Sequence, residues 1–401
     1  MKILFVSDVS ISEVIGGAER VLYEQTTRLA ARGHDVHILT RRLASHRTED
    51  EVIGRVHEWR YRVDQKNPAA FLLSTLRNGK RLFETLAESY AFDCINFHQP
   101  FSAFAVIRSA ASKNIRKIYT CHSLAFEEYA SRNPAPKGFF QKMTRGFHLA
   151  LRKRIEQKAL AASDGVIVLS RYTFDKLRSL HNVPAEKIQV IPGGIDLDRF
   201  HPSSDKNAVK KRLGLPGDKT MLLTVRNLVP RMGLENLIRA MEDVAGACPG
   251  VLLVIGGTGP LKDDLSRLVS RLHLEEKILF KGFIPDDLLP EYYRAADIFV
   301  LPTIELEGFG LVTLEALASG TPVLGTPIGG TREILSGLDS RFLFSGTTAM
   351  DISCSLIDTC TMYAKHPDQW ASDSRLCRRF AETRYGWETN ISKTEAFLRC
   401  G

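Results

Sequence analysis

Two carboxylates flank a glycine-rich turn in the stretch Leu301–Val323. We predict that a strand ends at Leu301, that Glu307 lies in the following loop, and that Glu315 lies on a helix beginning near Gly310. Taken singly, each glutamate is typical of a solvated surface and each glycine of an ordinary turn. An ordinary surface would rarely combine all of them at this spacing, so we interpret the stretch as a binding site.

The start of the predicted helix offers hydrogen-bond donors to an anion. The backbone N–H groups of Gly310, Leu311 and Val312 fall in its first turn, where N–H groups have no partner within the helix. The helix dipole also favours negative charge at this end. We therefore expect a diphosphate to bind there.

Two other glycine-rich turns could bring backbone N–H groups close to a ligand. Gly16 and Gly17 precede an apolar-periodic stretch that predicts a helix, and Gly257 lies in the run Gly256–Pro260, directly after a predicted strand. The run lacks the spacing of a dinucleotide loop and the lysine of a P-loop. The first turn fits a plain turn and an anion site equally well. The second is slightly more typical of a plain turn, although a turn close to a nucleotide is compatible with it.

Rigid elements must hold these turns, and the 401-residue chain shows two sets of them. Its content of 44% hydrophobic and 25% charged residues is ordinary for a globular protein, which excludes a disordered or fibrous chain. Short β-branched runs alternate with longer amphipathic stretches, as in parallel βαβ units. The candidate strands are Lys2–Ser7, Val36–Thr40, Cys94–His98, Lys117–Cys121, Gly165–Leu169, Ile188–Ile191, Met221–Val225, Val251–Ile255, Ile278–Lys281, Ile298–Leu301 and Pro322–Leu324.

The alternation predicts an α/β protein with two doubly wound, Rossmann-like domains. Turn formers and charges cluster between Pro192 and Pro216, so we place the N-terminal domain at 1–198 and the C-terminal domain at 199–386. Residues 387–401 have apolar side chains near helical spacing and predict a terminal helix that must dock elsewhere. Two such domains imply a cleft, with ligands beyond the carboxyl ends of the strands.

The net charge of +8 is unevenly distributed. Residues 1–200 carry 31 Lys and Arg against 21 Asp and Glu, whereas residues 201–401 carry 23 against 25. The basic half should face a membrane surface, nucleic acid or a phosphorylated substrate. The stretch 137–158 fits either a helix on an anionic membrane or a solvated helix packed on its own domain. No recognised nucleic-acid-binding motif accompanies the charge, so we expect no nucleic-acid partner.

Cysteines and apolar runs bear on the cellular compartment. The seven cysteines form no C-x-x-C pair and no metal-ligand spacing, which is typical of reduced thiols. No apolar run reaches the ~18 residues of a membrane span, and the first apolar run is too short for a signal peptide. We expect a cytoplasmic protein, at the inner face of the membrane if the basic half binds lipid.

Several strings along the chain resemble one protein family. EGFGLVTLEA at 307–316, followed by SGTPV at 319–323 and by Gly329 and Gly330, resembles the signature of the family-four retaining glycosyltransferases. Further strings resemble the family in the same order: ILFVS at 3–7, GGAER at 16–20, RGHDV at 32–36, VIPGGID at 190–196 and AADIFVLP at 295–302. The resemblance implies the GT-B fold, two Rossmann-like domains facing across a cleft, with helix 387–401 packing back on the N-terminal domain.

The resemblance also implies roles for individual residues. Glu307 matches the glutamate beside the donor sugar, and Glu315 matches the one that holds the ribose hydroxyls. Residues 310–312 match the backbone diphosphate site. His122, at the end of a predicted strand, matches a histidine that contacts the donor sugar from the N-terminal domain. Without the resemblance, His122 is more typical of a strand-end histidine bonded to backbone.

The family's cationic clamp is displaced in this chain. The family has Gly-Arg, four residues, then Lys-Gly; aligned on Gly233, its Arg and Lys fall on Asn227 and Met232. Arg226 and Arg231 keep the spacing one residue earlier. A departing diphosphate needs its charge neutralised, so we predict these two arginines as the clamp, although a one-residue shift on a strand turns a side chain to the other face.

The resemblance implies no essential metal and no cofactor beyond a nucleotide-sugar substrate. A UDP-sugar is the default donor and a GDP-sugar the rival. The acceptor would be a sugar or a lipid-linked compound of cell-surface polysaccharide or glycolipid assembly. We interpret Asp196 and Asp198, spaced like a metal-binding D-x-D motif, as linker residues. Two alternatives are a sugar-nucleotide epimerase or hydrolase on the same fold, and a non-catalytic sugar-nucleotide-binding protein, which the missing lysine at Met232 favours.

Overall fold

The computed structural model describes residues 1–13, 16–133 and 138–399. Lys137, Cys400 and Gly401, which the sequence-based predictions include, lie outside the described residues. The chain forms two compact units, Met1–Gly193 together with Glu388–Gly401, and Gly194–Trp387. The boundary between them comes a few residues before the predicted one at 198/199.

The first unit is built on an eight-stranded sheet. Its order is β3-β4-β2-β1-β5-β6-β7-β8, and every pair is parallel except the antiparallel pair β3–β4. The central strands are apolar on both faces because helices cover both sides of a parallel sheet. The strands are β1 (Lys2–Val6), β2 (Asp35–Arg41), β3 (Asp50–Ile53), β4 (Val56–Tyr61), β5 (Cys94–Phe97), β6 (Arg116–Cys121), β7 (Gly165–Val168) and β8 (Ile188–Val190).

Six helices of this unit follow its strands in the described part of the chain. They are α1 (Gly17–Ala31), α2 (Pro68–Ser89), α3 (Pro100–Ile107), α4 (Ala125–Arg132), α5 (Phe139–Ala162) and α6 (Arg171–His181). Proline at the first turn of α2 and of α3 has its φ already fixed for a helix start. The core beneath the helices is lined by large apolar side chains, among them Phe83, Phe97 and Tyr119.

The second unit is built on a five-stranded parallel sheet of order β11-β10-β9-β12-β13. The strands are β9 (Thr220–Val225), β10 (Val251–Gly256), β11 (Ile278–Gly282), β12 (Ile298–Leu301) and β13 (Val323–Gly325). The helices are α7 (Lys206–Arg212), α8 (Leu234–Ala247), α9 (Lys262–Arg271), α10 (Leu289–Ala295), α11 (Leu311–Ala318), α12 (Gly329–Leu338), α13 (Ala349–Lys365) and α14 (Pro367–Arg384).

The terminal helix α15 (Trp387–Arg399) packs within the first unit from Glu388 onward. The Arg32 guanidinium at the end of α1 pairs with Glu388 at 2.6 Å and with Glu395 at 2.9 Å. A Cβ added at Gly165 would lie 2.7 Å from the Phe397 ring, so the helix packs directly against β7.

Three elements depart from the sequence-based predictions. Strands β3 and β4 were not predicted, because β4 buries the charged pair Glu58 and Arg60 where the alternating pattern would place apolar residues. The polar run assigned to the linker contains helix α7, whose first turn is capped by the Asp205 side chain accepting from Ala208 N at 2.9 Å. This cap is worth about 1 kcal/mol to a short helix.

Candidate functional site

The loop between β12 and α11 brings Glu307 against Arg226. Arg226 Nη2 donates to a carboxylate oxygen of Glu307 and, at 2.7 Å, to Thr303 Oγ1. The two charged side chains are only 5% and 12% exposed. Arg226 follows β9 and the loop follows β12, and these strands are neighbours in the sheet, so their carboxyl ends place the two residues together.

Arg231 reaches the same loop from a short 3₁₀ turn, Pro230–Met232. Its Nη1 donates to the Leu306 carbonyl at 2.9 Å, and Ile304 N donates to the Arg231 carbonyl at 2.9 Å. Leu306 has φ +57°, a left-handed conformation that costs free energy for a residue with a branched side chain. Arg231 therefore braces a strained part of the loop.

The alternative clamp positions are placed differently. Asn227 is exposed, and Met232 is buried. The structure thus brings Arg226 and Arg231, rather than the pair aligned with the family pattern, to the loop of Glu307.

Helix α11 starts four residues after Glu307. Gly310 is its N-cap with φ +91° and no side-chain capping bond. A Cβ there would lie 2.8 Å from Thr331 Oγ1, so the position requires glycine on both counts. Leu311 and Val312 form the first turn and are half-buried, where helix N–H groups and the helix dipole favour an anion.

Glu315 lies in the middle of α11 and is bonded to Tyr293 of α10. The Tyr293 hydroxyl donates to Glu315 Oε2 at 2.7 Å, and both residues are buried. Burial, together with the neighbouring Glu315 carboxylate, raises the pKa of Tyr293 well above its ordinary value. The phenol therefore stays protonated, and its O–H group orients the Glu315 carboxylate by donating a hydrogen bond to it.

We expect Tyr293→Phe to lower the free energy of unfolding by about 1–3 kcal/mol, the range for a buried carboxylate that loses a hydrogen-bond donor. If Glu315 binds the ribose, the KM for the donor should rise several-fold while kcat changes little. Urea unfolding and steady-state kinetics measure these effects. Tyr292→Phe, at the neighbouring buried tyrosine, is the matched control; equal effects from both variants would contradict the special role of Tyr293.

Gly257 lies at the turn after β10 and acts through its lack of a side chain. It has φ +120°, and a Cβ there would lie 1.9 Å from the Arg226 carbonyl oxygen. Its own N–H already donates to the Gly282 carbonyl at 2.7 Å. The residue therefore permits two strand ends to approach closely at Arg226.

Gly16 and Gly17 open α1 in the first unit. Gly16 is the N-cap, and its carbonyl accepts from Arg20 N at 3.0 Å. Earlier in the chain, Ser10 Oγ donates at 2.7 Å and Ile11 N at 2.9 Å to the carboxylate of the buried Glu58 of β4. A buried strand carboxylate thus holds the chain at Ser10 and Ile11.

His122 follows β6 in the first unit and contacts a second histidine. Its Nε2 lies 2.9 Å from Nδ1 of His98, which follows the neighbouring strand β5. Burial lowers the pKa of His122 to about 4, and burial with the charge of His122 lowers the pKa of His98 well below its ordinary value. Near pH 7 both imidazoles are neutral, and one donates to the other.

This histidine pair should make stability depend on pH. In the unfolded chain His122 has its ordinary pKa of about 6.5, whereas in the folded protein it is about 4. Between these values the unfolded state binds more protons, so the free energy of unfolding falls as pH falls from 6.5 to 4, and the contribution is complete above 6.5. Urea unfolding across this range should give a shallower slope for His122→Gln. The exposed His366→Gln is the control, and an unchanged slope in His122→Gln would contradict the assignment.

Sequence reasoning missed three residues that the structure brings to these groups: Thr303, Tyr293 and His98. A signal existed for two of them. His98 is the last residue of a predicted strand and Thr303 lies two residues after another, close to the strand ends that Arg226 and His122 follow, and the carboxyl ends of neighbouring parallel strands meet at one edge. Tyr293 gives no such signal, because only the packing of α10 against α11 brings it to Glu315. Over the described ranges, no group of three or more His, Cys, Asp and Glu side chains is placed to hold a metal ion.

Two family models match the chain in succession. The model described as Glycosyltransferase Family 4 matches residues 15–199, and that described as Glycosyl transferases group 1 matches residues 205–376. The second range contains Arg226, Glu307 and Glu315, and the first contains His122.

Curated relatives match over different lengths. A GDP-mannose-dependent alpha-(1-6)-phosphatidylinositol monomannoside mannosyltransferase of Mycolicibacterium smegmatis is 32% identical over 243 residues, which are 59% of this chain and 62% of the relative. A D-inositol 3-phosphate glycosyltransferase of Xylanimonas cellulosilytica is 26% identical over 93% of this chain and 89% of the relative. The match therefore spans less than two thirds of the length of the mycobacterial relative.

Solved structures share the fold. Sucrose-phosphate synthase from Thermosynechococcus elongatus superimposes with a TM-score of 0.83 at 22% identity, covering 100% of this chain and 98% of that one. The HepE protein of Anabaena, solved in complex with UDP, has a TM-score of 0.76 at 20% identity and covers 99% of each chain. These likenesses confirm the predicted fold class, an α/β protein of the GT-B type with two Rossmann-like units.

Proposed function

Because the chain belongs to the family that the Glycosyltransferase Family 4 and Glycosyl transferases group 1 models describe, we propose that it moves a sugar from a nucleotide-diphosphate sugar to an acceptor hydroxyl. One observation carries this proposal from the structure. Two arginines contact the loop that carries Glu307, shortly before a helix whose N-cap has no side chain. Such an arrangement can bind a diphosphate beside a group that orients a sugar.

The donor is proposed to bind in the second unit. The N–H groups of residues 310–312 would bind phosphate oxygens, and Arg226 and Arg231 would neutralise the charge that develops as the diphosphate leaves. Glu315, oriented by Tyr293, would accept hydrogen bonds from the ribose hydroxyls. Gly257 would serve indirectly, by setting the backbone position of Arg226.

Glu307 is proposed to orient the donor sugar while it holds Arg226 in place. Its carboxylate already accepts from the guanidinium, so a diphosphate would give Arg226 a second anionic partner. The chemistry follows the retaining scheme of the family: the departing phosphate oxygen takes the proton of the acceptor hydroxyl on the same face of the sugar. The protein then contributes mainly positioning and charge stabilisation.

The first unit is proposed to bind the acceptor and to provide one contact to the donor sugar. His122, neutral near pH 7 because of burial, can offer a hydrogen bond without adding a charge. The glycines at 16 and 17 would let the start of α1 approach a ligand. The acceptor is proposed to be a sugar or an anionic, lipid-linked compound, because the first half of the chain carries the excess of basic residues.

A thermal-shift screen of nucleotides tests the donor site. A nucleoside diphosphate at 100 times its Kd should add about 2.7 kcal/mol to the free energy of unfolding, and the monophosphate should add much less. We propose UDP as the ligand. A larger shift with GDP would indicate that the base of the donor is guanine and not uracil. The shift should be lost in Glu315→Ala. No shift with any diphosphate would refute the proposal.

Product analysis separates the three functional classes. Transfer predicts a new glycoside only when an acceptor is present, and NMR should show the anomeric configuration of the donor retained. An isomerised sugar nucleotide without acceptor would indicate an epimerase, and free sugar a hydrolase. Binding without turnover across a broad acceptor panel would favour a non-catalytic sugar-nucleotide-binding protein.

A further inference from the structure

Helix α5 exposes large apolar side chains on its first turns. Phe139 is 75% exposed, Phe140 76%, Met143 59% and Phe147 65%. Each helical residue advances by about 100°, which places the four side chains on an arc about 100° wide. We name these four residues the apolar tip. Exposed aromatic side chains clustered in this way mark an interaction site more often than a bare surface.

The second half of α5 is packed into its own unit. Ile155 and Ala159 are buried, and the Arg152 guanidinium lies 3.9 Å from the Tyr129 ring centroid. The Lys153 and Lys158 ammonium groups lie over Phe126 and Phe104 at 5.4 and 5.6 Å. Of the two alternatives that the sequence left open for this stretch, a helix packed on its own domain describes this half, whereas the phenyl rings of the first turns face solvent.

The charges on α5 are almost all positive. Its sequence has six Lys and Arg residues and one acidic residue, Glu156, which is buried and accepts from Ala125 N at 3.0 Å and contacts His181 Nε2 at 3.0 Å. Lys142 and Arg154 are exposed. Arg154 falls on the same arc as the apolar tip, four turns along the helix. An apolar end with cations beside it and no exposed carboxylate on the helix complements an anionic, apolar layer.

We propose that the apolar tip inserts into the surface of an anionic lipid bilayer, with Lys142 and Arg154 against the lipid phosphates. Moving a phenyl ring out of water lowers the free energy, but the ring makes no hydrogen bond that would specify a protein partner. No described helix is both long and apolar enough to cross a bilayer. The surface belongs to the first unit alone and does not depend on the glycosyl transfer proposed above.

Vesicle co-sedimentation of the full chain tests this surface. We expect binding to vesicles of phosphatidylcholine with phosphatidylglycerol, weaker binding to phosphatidylcholine alone, and loss of binding at high salt. The variant Phe139→Ser/Phe140→Ser/Met143→Ser/Phe147→Ser should bind at least about 100-fold more weakly, because it removes four apolar contacts. The matched control is Phe283→Ser/Met350→Ser, at residues of the second unit that are 63% and 74% exposed; it should bind like the wild type.

Two further variants localise the contact. Lys142→Gln/Arg154→Gln should weaken binding to anionic vesicles about five-fold per charge removed, without changing binding to neutral ones. In the Phe140→Trp variant, the fluorescence of the new tryptophan should be quenched when vesicles with brominated acyl chains are added. The wild type gives the background signal of the three native tryptophans. Thermal melts should match the wild type, since all these side chains are exposed.

The proposal would be overturned if the four-residue variant bound vesicles as well as the wild type, or if the fluorescence of Phe140→Trp were not quenched. A concentration-dependent dimer that the same variant abolishes would assign the tip to a second copy of the chain instead. Donor binding and turnover with a water-soluble acceptor should be the same in the variant and the wild type. Failure of lipid binding and failure of the proposed function are therefore observed in separate assays.

Discussion

Arg226→Met should lower kcat at least about 100-fold if the chain is a glycosyltransferase. The expectation comes from removing one preorganised charged donor from the place where leaving-group charge develops, which typically costs 100- to 1,000-fold. Methionine keeps most of the side-chain length and apolar volume, so the loss reports the guanidinium. Initial rates with saturating donor and acceptor measure it, and donor binding should weaken in parallel.

The same substitution should destabilise the second unit, and a second variant tests the reason. Without Arg226 the Glu307 carboxylate, 12% exposed, loses its cation, which costs about 3–5 kcal/mol for a buried pair. Arg226→Met/Glu307→Gln removes the uncompensated charge and should recover much of that stability, yet no activity. Arg267→Met breaks a surface pair whose side chains are 70% and 64% exposed, so it should cost at most about 1 kcal/mol.

Two outcomes would contradict this account. Normal turnover by Arg226→Met would remove the arginine from the diphosphate site. A double variant no more stable than Arg226→Met would show that the ion pair with Glu307 is not what the substitution breaks.

Gly257→Ala should lower the free energy of unfolding by at least about 3 kcal/mol. The new methyl group would sit 1.9 Å from the Arg226 carbonyl oxygen, and the backbone at φ +120° is strained for any residue with a Cβ. The second unit must shift the end of β9 to relieve the clash, so activity should fall together with stability. Urea unfolding and the transfer assay measure the two effects.

Gly246→Ala is the matched control for this substitution. Gly246 lies in α8 with open space around the added Cβ, so alanine should stabilise the protein by up to about 1 kcal/mol and leave activity unchanged. If Gly257→Ala were as stable as Gly246→Ala, the close approach of the two strand ends would be contradicted.

The fold was largely predictable because its signal is local. Runs such as Ile298–Leu301 combine β-branched residues with a following turn, and the predicted and observed strands coincide there. Strand β4 was missed because Glu58 and Arg60 satisfy one another inside the sheet at 2.7 Å. A pair of this kind reverses the apolar pattern, and the partner of a buried charge is not visible from the sequence around it.

The candidate site was predictable in its backbone and only partly in its side chains. The glycine at 310 and the helix after it follow from the turn pattern, and the structure places both as expected. Which arginine reaches Glu307 depends on the direction of the chain leaving β9, which periodicity leaves open. The bond from Tyr293 to Glu315 joins two helices, so it required their packing.

The terminal helix also imposes an order of assembly on a nascent chain. Residues 388–399 complete the first unit, yet the whole of the second unit, 194–387, precedes them. During translation the second unit can fold as soon as it emerges from the ribosome, whereas the face of β7 that receives Phe397 in the first unit stays uncovered until residues 388–399 are made. A chaperone that shields apolar surface would act on the half of the protein made first.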